Sequence, residues 1–546
     1  MTIYEKLGAK REAQVPNKRQ MEWYERERSI FFHFGMNTFT GKEWGDGSES
    51  PSLFNPTECD VDSWVEAISK AGFACAILTA KHHDGFCLWQ TKYTEHSIKN
   101  SPYKNGKGDI VREFTDACKK YGVKAGIYLS PWDRHEPSWG TPDYNDYYAN
   151  QLTELMSNYG EIWECWWDGA GSTEASYDWE RWAGIVRTLQ PNAVIFGSLG
   201  ATPWVDIRWV GNEKGDAGVP CYATIDARSL EVEALDELNH GKIGGNRFIP
   251  AETDVSIRPG WFHHDDQNDL VRSPSNLMEL YFQSVGRGSG LLLNIPPNRK
   301  GQLSDSDKHA IFEFDKMLKK AFEKNLLKGA ILSVSSEATQ AGALLDGGFY
   351  MPKENDTCPT LCFKLPNQEK INALVLSEAI ELGHKIVGAR VSCKENGAWR
   401  TLCEVEVVGY KQIMRFDAVY TDEIKIELTK CLDTPVIKGI GAYFIEGGAQ
   451  TEKKRVKITP VSTKIDGGVV EIDLGGIFTF DLISGENLGE QGYKLYLFNG
   501  TDYDLVKEGK TRGFFKCKLD TPSDGAYRLK IVFEHEIPNW VTFELE

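Results

Sequence analysis

Short apolar runs alternate with longer amphipathic segments between about residues 28 and 322 of the chain. The apolar runs have the length of buried strands and lie at residues 29–35, 74–80, 124–130, 161–168, 193–198, 205–210 and 290–295. Between several of them, apolar residues recur with the spacing of an amphipathic helix, at residues 59–72, 108–122, 144–160, 177–191 and 273–288. The pattern therefore predicts parallel strands joined by helices.

The ends of two of these helices are marked by particular residues. Asp60 or Asp62 is positioned to cap the first helix, which we expect to end at Gly72. By the same reasoning the second helix begins beside Asp109 and ends at Gly122. These caps support the helical interpretation of both segments.

Two architectures have this alternation, a closed barrel and a doubly wound open sheet. No GxGxxG motif follows the first strand, and polar side chains follow many different strands. A barrel assembles its active site from all of its strand ends. We therefore predict a (β/α)8-like TIM barrel over residues 1–325.

Beyond residue 325 the apolar residues alternate with a period of two, between turns that contain Gly, Asn and Asp. This alternation is typical of antiparallel sheets. It predicts one β-sandwich over residues 326–450 and a second over residues 451–546. The polar, glycine-bearing segment 447–457 is the predicted linker between them.

The chain is acidic, with a net charge of −17 over 546 residues. Such a surface repels phosphate backbones and anionic lipids, so we expect neither nucleic acid nor a membrane as a partner. No apolar run is long enough to span a bilayer, and the first residues lack the apolar core of a secretory signal. The 12 cysteines include no CxxC motif, which is typical of reduced thiols. We expect a cytoplasmic protein.

Polar side chains follow the predicted strands at the end where a barrel carries its active site. In chain order the candidates are His33, Glu43, Trp44, His82, His83, Asp168, Arg208 and Glu213. Taken alone, each has a simpler structural explanation: a histidine after a strand is more often structural, Asp168 is compatible with a turn cap, and Glu213 with solvated surface. A metal site at His82–His83 is disfavoured, because adjacent residues of an extended strand point to opposite faces.

Together, these side chains suit carbohydrate chemistry. Imidazoles supply neutral donors and acceptors for hydroxyl groups, and tryptophan gives the apolar face of a sugar ring a surface to rest on. Cleavage of a glycosidic bond needs two carboxyl groups in different roles. Asp168, at the end of a tryptophan-rich strand, fits the nucleophile, and Glu213, on a glycine-flanked loop, fits the acid/base. Arg208 is positioned to hold one of these carboxylates ionised.

Six motifs strongly resemble, in this order, glycoside hydrolase family 29, the α-L-fucosidases: HFGMNTFTGKEWG, AKHHDGFCLW, GIYLSPWDRH, WWDGAG, RWVGNEKG and LLLNIPPNRKGQLSDSD. The resemblance covers about residues 10–325. It implies a retaining, two-step mechanism with Asp168 as nucleophile and Glu213 as acid/base, and neither a metal nor an organic cofactor. The fucose-binding positions that it implies are His33, Glu43, Trp44, His82, His83, Tyr128, Trp166 and Arg208.

The resemblance also has finer implications. The RWVGNE loop is similar to that of the subgroup that cleaves α-1,3- and α-1,4-linked fucose from branched, Lewis-type oligosaccharides. Tyr128 stands one place before the position where other members carry their tyrosine, which here is Leu129. Glu252 is a rival acid/base, because it also belongs to a predicted strand-end loop. Trp166 is expected to face the sugar and Trp167 the core, since they lie on opposite faces of the strand.

The first predicted sandwich resembles a galactose-binding-like (discoidin-type) domain, for which both sugar binding and structural support are open. Three alternative functions remain: a broad-specificity α-L-fucosidase, an α-L-galactosidase and a non-catalytic carbohydrate-binding protein. The presence of both Asp168 and Glu213 argues against the last of these.

Overall fold

Eight parallel strands close into a barrel, in the order β1–β10–β9–β6–β5–β4–β3–β2. The structure is a computed structural model that describes residues 14–171, 176–228, 230, 234–354, 356–446, 458–478, 480, 482–498, 503–519, 526–538 and 541–545. With strands numbered in chain order, the barrel consists of β1 (Arg28–Phe32), β2 (Cys75–Lys81), β3 (Lys124–Leu129), β4 (Glu164–Trp166), β5 (Val194–Gly197), β6 (Ile207–Trp209), β9 (Ala251–Ser256) and β10 (Gly290–Asn294). Between β6 and β9, the strands β7 (Thr224–Ile225) and β8 (Arg247–Phe248) form a separate two-stranded sheet.

Helices connect most of the barrel strands, as the hydrophobic pattern predicts. In chain order they are α1 (Lys18–Tyr24), α2 (Met36–Thr40), α3 (Val61–Lys70), α4 (Ile110–Tyr121), α5 (Tyr144–Asn158), α6 (Trp179–Leu189), α7 (Leu235–His240), α8 (Pro274–Gln283) and α9 (Asp305–Ala321). Asp60 caps α3 by accepting the Ser63 N–H at 3.1 Å. Asp109 caps α4 by accepting the Arg112 N–H at 2.8 Å, and Gly122 ends that helix with a φ of 70°.

The strand β9 corrects the sequence interpretation. All six of its residues are buried, yet its sequence AETDVS contains four polar or charged side chains and lacks an apolar run. Glu252 is the second residue of this strand and pairs with Gly290, the first residue of β10. The prediction that Glu252 lies in a strand-end loop is therefore wrong.

Two antiparallel sheets follow the barrel in sequence, in agreement with the predicted all-β domains. The first contains β11 (Ile331–Val334), β12 (Thr360–Glu378), β13 (Ala389–Glu395), β14 (Ala398–Val405), β15 (Gln412–Leu428) and β16 (Ile437–Tyr443). The second contains β17 (Ser462–Asp466), β18 (Val469–Phe478), β19 (Leu482–Phe498), β20 (Tyr503–Lys518), β21 (Ala526–Phe533) and β22 (Phe543–Leu545). Each has its own apolar core.

The chain divides into two compact units. The first comprises residues up to Phe39, Gly45–Ile257 and Arg272–Ala449, and so includes the barrel and the sheet β11–β16. The second comprises Thr40–Trp44, Arg258–Val271 and the described part of residues 450–546. The predicted linker 447–457 lies outside the described residues, and the galactose-binding-like identity of residues 326–450 stays a prediction.

Within the first unit, the sheet β11–β16 packs against the barrel. Arg415 of β15 binds Glu279 of α8 through two contacts of 2.6 Å. The rings of Tyr24 and Tyr410 stack with their centroids 4.5 Å apart. Among the described helices, none is long and apolar enough to cross a membrane.

A buried ion pair fixes the end of β2. Lys81, the last residue of that strand, binds Asp133 at 2.8 Å, and both side chains are fully buried. The Lys81 ammonium also donates to Gln151 at 3.0 Å and lies between 5.4 and 5.8 Å from three tyrosine rings of α5. Because Lys81 directly precedes His82 and His83, this network fixes the backbone from which these two histidines extend at the rim of the barrel.

We expect Lys81→Met to lower the free energy of unfolding by about 3–5 kcal/mol, because Asp133 would be left buried without a counter-charge. Lys70→Met is the control, since Lys70 and Glu66 form an exposed pair whose loss costs at most about 0.5 kcal/mol. Differential scanning calorimetry of the two variants measures the difference. Equal stability of the two would contradict a structural role for the buried pair.

Candidate active site

Asp168 lies two residues beyond the end of β4, at the carboxyl-terminal rim of the barrel. Its Oδ2 atom accepts a hydrogen bond from the Tyr128 hydroxyl at 3.0 Å, and its Oδ1 atom accepts the Ala170 N–H at 2.8 Å. A Cβ atom on Gly169 would lie 2.1 Å from Ser198 Oγ, so a larger residue there would require the Ser198 side chain to move. The Asp168 side chain is 26% exposed although β4 is buried. It is therefore a carboxylate fixed by neutral donors and open to solvent.

Tyr128 supplies one of these donors from the end of β3. Burial, and next the negative charge of Asp168, raise the pKa of Tyr128 well above its ordinary value. The phenol therefore keeps its proton and donates it in the hydrogen bond. Leu129, which follows, points to the opposite face of the strand. Tyr128 is thus the residue that contacts Asp168.

Three buried histidines continue the rim from Asp168. The Nε2 atom of His83 lies 3.8 Å from Asp168 Oδ2, and the rings of His82 and His83 are 4.1 Å apart. The rings of His33 and His82 are 5.6 Å apart. Burial, the largest cause in each case, lowers the pKa of all three, that of His33 to about 3. All three are neutral at physiological pH and can both donate and accept hydrogen bonds.

Neighbouring side chains fix the tautomers of two of these rings. Asn294 donates its Nδ2 to Ser256 Oγ at 2.9 Å, so its Oδ1 accepts from His33 Nδ1 at 2.9 Å. Ser130 donates its hydroxyl to a backbone carbonyl at 2.6 Å, so its oxygen accepts from His83 Nδ1 at 2.8 Å. In both histidines Nδ1 therefore carries the proton and Nε2 is the acceptor.

The two tryptophans before Asp168 point in opposite directions. Trp166 faces the barrel interior, stacks on Phe196 with 4.0 Å between ring centroids, and is 5% exposed. Trp167 packs against Trp179 and Trp182 of α6, as the alternation of the strand predicts. A contact between Trp166 and a sugar stays a prediction.

Glu252 is the rival acid/base, and its environment argues against that role. Its two carboxyl oxygens accept the indole N–H groups of Trp166 at 3.1 Å and Trp23 at 3.3 Å. The side chain is 1% exposed, and its burial raises its pKa to about 7. Glu252 therefore lies inside the barrel, toward the amino-terminal ends of the strands, and not at the rim.

Arg208 requires a second correction. Its side chain is completely buried, and its guanidinium donates to the backbone carbonyls of Leu238 at 2.9 Å and Tyr222 at 2.9 Å and to that of Ile249. Its neighbour Trp209 faces the interior, so Arg208 faces the outer layer of loops. It holds those loops together, and the predictions that it binds the sugar or fixes a catalytic carboxylate have no support in this arrangement.

Glu213 lies in the loop after β6, four residues beyond Trp209, and is exposed. The loop is ordered by its own hydrogen bonds: Asn212 donates to the Asp216 carbonyl at 3.0 Å, and the Lys214 N–H donates to Asn212 at 2.9 Å. Burial and next the charge of Glu213 raise the pKa of Asp254, a buried residue of β9. It is thus an accessible carboxyl group on a fixed loop.

Glu43 and Trp44 belong to the second compact unit. Glu43 accepts the Trp261 N–H at 2.7 Å and lies 2.8 Å from His264 Nε2, while Trp44 is 57% exposed. Their role in sugar binding stays a prediction.

Sequence reasoning missed the residues that hold the candidates in place. Asn294 ends the apolar run of β10 and Ser130 follows β3, and a polar residue that closes a buried strand is a recognisable signal. Asn37 contacts His82 Nδ1 at 3.3 Å from a helix that the pattern does not indicate. Asp254 lies in β9, a strand that the hydrophobic pattern does not indicate.

In the described part of the chain, no group of three or more His, Cys, Asp or Glu residues is arranged to hold a metal ion.

Comparisons with known proteins agree with this chemistry. The Alpha-L-fucosidase family model matches residues 13–323. Alpha-L-fucosidase 1 of Arabidopsis thaliana is 37% identical over 464 residues, which are 82% of this chain and 90% of the plant protein. A solved structure from Bacteroides thetaiotaomicron is 43% identical, with a TM-score of 0.77 over 79% of this chain and 97% of that one. The Ruminococcus gnavus GH29 fucosidase in complex with fucose is 31% identical, with a TM-score of 0.73 over 79% of this chain and 95% of its own. The chain thus belongs to the α-L-fucosidases, glycoside hydrolase family 29.

Proposed function

We propose that this protein is a retaining exo-α-L-fucosidase that removes α-1,3- and α-1,4-linked fucose from branched oligosaccharides. The observation that carries the proposal is the environment of Asp168, a partly exposed carboxylate that accepts hydrogen bonds from Tyr128 and Ala170 beside three neutral histidines. A nucleophile must be accessible and held in place, and the donors Tyr128 and Ala170 orient the carboxylate of Asp168 while leaving it partly exposed.

The reaction has two displacements at C1 of fucose. In the first, a carboxylate oxygen of Asp168 bonds to C1 while the bond from C1 to the leaving oxygen breaks, and Glu213 gives that oxygen its proton. In the second, Glu213 removes a proton from water, the water oxygen bonds to C1, and Asp168 leaves. Glu213 suits both roles because it is exposed on an ordered loop.

The histidines suit a neutral sugar. Because His33, His82 and His83 are uncharged, they offer donors and acceptors to hydroxyl groups without attracting an anion. The fucose bound to the Ruminococcus gnavus relative supports fucosylated glycans as the substrate class. The linkage preference depends on the similarity of the RWVGNE loop to its subgroup.

Replacing Asp168 with Asn should lower kcat/KM by on the order of 10⁴-fold or more, because no covalent intermediate forms. In Asp168→Gly, azide should restore turnover of an aryl fucoside and release β-fucosyl azide, which NMR of the product identifies. Full activity of Asp168→Asn would exclude the proposed nucleophile.

Replacing Glu213 with Gln should lower kcat/KM by about 10²–10⁴-fold for a natural oligosaccharide, because the departing sugar needs a proton. An aryl fucoside with an acidic phenol needs little protonation, so its loss should be about tenfold or less. Glu252→Gln is the matched control, for which any loss should be the same for both leaving groups. The reverse result would make Glu252 the acid/base.

Substrate preference is tested with Lewis-type trisaccharides, 2′-fucosyllactose, an aryl α-L-fucoside and an aryl α-L-galactoside. We expect the highest kcat/KM among the oligosaccharides for the Lewis-type compounds, and at least about tenfold discrimination against the galactoside, whose extra hydroxyl has to be desolvated. Faster cleavage of 2′-fucosyllactose would indicate broad specificity, and a galactoside preference would indicate an α-L-galactosidase.

A further inference from the structure

Glu252 is a buried carboxyl group of the barrel interior that has no place in the two displacements described above. It belongs to β9, is 1% exposed, and accepts the indole N–H groups of Trp166 at 3.1 Å and Trp23 at 3.3 Å. Both donors are neutral, and a carboxyl group buried among neutral groups costs stability that an apolar side chain would not cost. This cost points to a role of Glu252 beyond packing.

The hydrogen bond between Trp166 and Glu252 crosses the barrel interior. Trp166 is the last residue of β4, and β5 and β6 separate β4 from β9 in the ring of strands. A hydrogen bond from an indole N–H to a buried carboxyl group favours one orientation of the indole ring over the others. Glu252 therefore sets the orientation of the Trp166 ring from a distant strand.

Trp166 belongs to a stack of four rings that leads from β5 to the end of β2. Its ring lies against that of Phe196 on β5, with the centroids 4.0 Å apart and an angle of 7° between the planes. Toward β3, the ring of Tyr128 lies 5.4 Å from that of Trp166 at an angle of 30°. The ring of His82 follows, 5.8 Å from that of Tyr128 at an angle of 15°. Tyr128 is thus held between Trp166 and His82.

The Tyr128 hydroxyl group connects this ring stack to the candidate nucleophile, because it donates to Asp168 Oδ2 at 3.0 Å. A hydrogen bond weakens steeply when its donor and acceptor move out of line, so a tilt of the Tyr128 ring would loosen Asp168. A displacement of about 1 Å in a reacting group can lower a rate by about 100-fold. A change at Glu252 can thus reach Asp168 through two rings, without a contact between Glu252 and the substrate.

We propose that Glu252 is a positioning residue, which acts through Trp166 on the hydrogen bond that holds the nucleophile. The inference rests on the proposed role of Asp168 as that nucleophile. The indole of Trp166, fixed by Glu252, keeps the Tyr128 ring in place. The hydroxyl group of Tyr128 in turn keeps Asp168 in line with C1 of the sugar. Glu252 exchanges no proton with the substrate, so its contribution does not depend on the leaving group.

The test is a double-variant cycle, measured as kcat/KM for an aryl α-L-fucoside. Glu252→Met removes both acceptor oxygens from a side chain of similar length and should lower kcat/KM by about 10–100-fold. Tyr128→Phe keeps the ring in the stack but removes the hydroxyl group that holds Asp168. In that background Glu252→Met should cost about threefold or less, since the bond through which it acts is already absent. An equal loss in both backgrounds, which a general structural defect would give, overturns the proposal.

Trp23→Phe is the matched control, because it removes the other indole N–H that Glu252 accepts. Trp23 lies in α1 and packs on Gly290, where a Cβ atom would lie 2.5 Å from the indole ring, and it is not a member of the ring stack. We expect the melting temperature to fall, because the smaller ring leaves a cavity. The value of kcat/KM should stay within about threefold of the native one. A loss as large as that of Glu252→Met would overturn the route through Trp166.

Circular dichroism shows whether Glu252→Met folds. If it does not, Glu252→Asp takes its place in the cycle, because it keeps the charge but withdraws the carboxyl oxygens from the two indoles by the length of one methylene group. The loss should again be present in the native background and absent beside Tyr128→Phe. An unchanged kcat/KM of Glu252→Asp overturns the proposal.

The Asp168→Asn measurement separates the two possible failures. If Asp168→Asn keeps full activity, the proposed nucleophile is wrong and the inference falls with it. If Asp168→Asn is inactive and the cycle shows equal losses in both backgrounds, only the role of Glu252 is overturned.

Discussion

Closure of eight parallel strands into one ring is the constraint on which the candidate site depends. It brings the ends of β1, β2, β3 and β4 to a single rim, although their residues are far apart in sequence. There the hydrogen bond from Tyr128 to Asp168 joins β3 to the loop after β4, and Asn294 at the end of β10 orients His33 at the end of β1. The positions of Asp168 and His33 thus depend on residues of other strands, and their geometry is a property of the closed barrel.

The barrel interior is unusual in its buried carboxyl groups. Glu164 of β4 is fully buried with no hydrogen-bond partner for its carboxyl oxygens, and Glu252 and Asp254 are buried in β9. Burial raises the pKa of all three, and the charges of Glu164 and Glu252 interact. Neutral, protonated forms cost much less to bury than carboxylates do.

The sequence predicts most of this architecture, and the exceptions have physical causes. Seven barrel strands are recognisable as apolar runs, and Asp168 follows the fourth of them. The hydrophobic pattern does not indicate β9, because its inward-facing residues include Glu252 and Asp254, and this is also why the predicted placement of Glu252 is wrong. The sequence does not show which face of the barrel Arg208 takes, because β6 has only three residues, too few for alternation to be recognised. Asn294 and Ser130 act through other side chains, and contacts of that kind between distant strands are not visible in a sequence.

The central claim is that Asp168 forms a covalent bond to fucose. Its most direct measurement is mass spectrometry of peptides after reaction with a 2-deoxy-2-fluoro-fucosyl fluoride, which slows the second displacement more than it prevents the first and so accumulates the intermediate. The predicted result is one added fluorofucosyl group on the peptide that contains Asp168, with no labelling of Asp168→Asn. Labelling of any other carboxylate in the native protein would contradict the assignment.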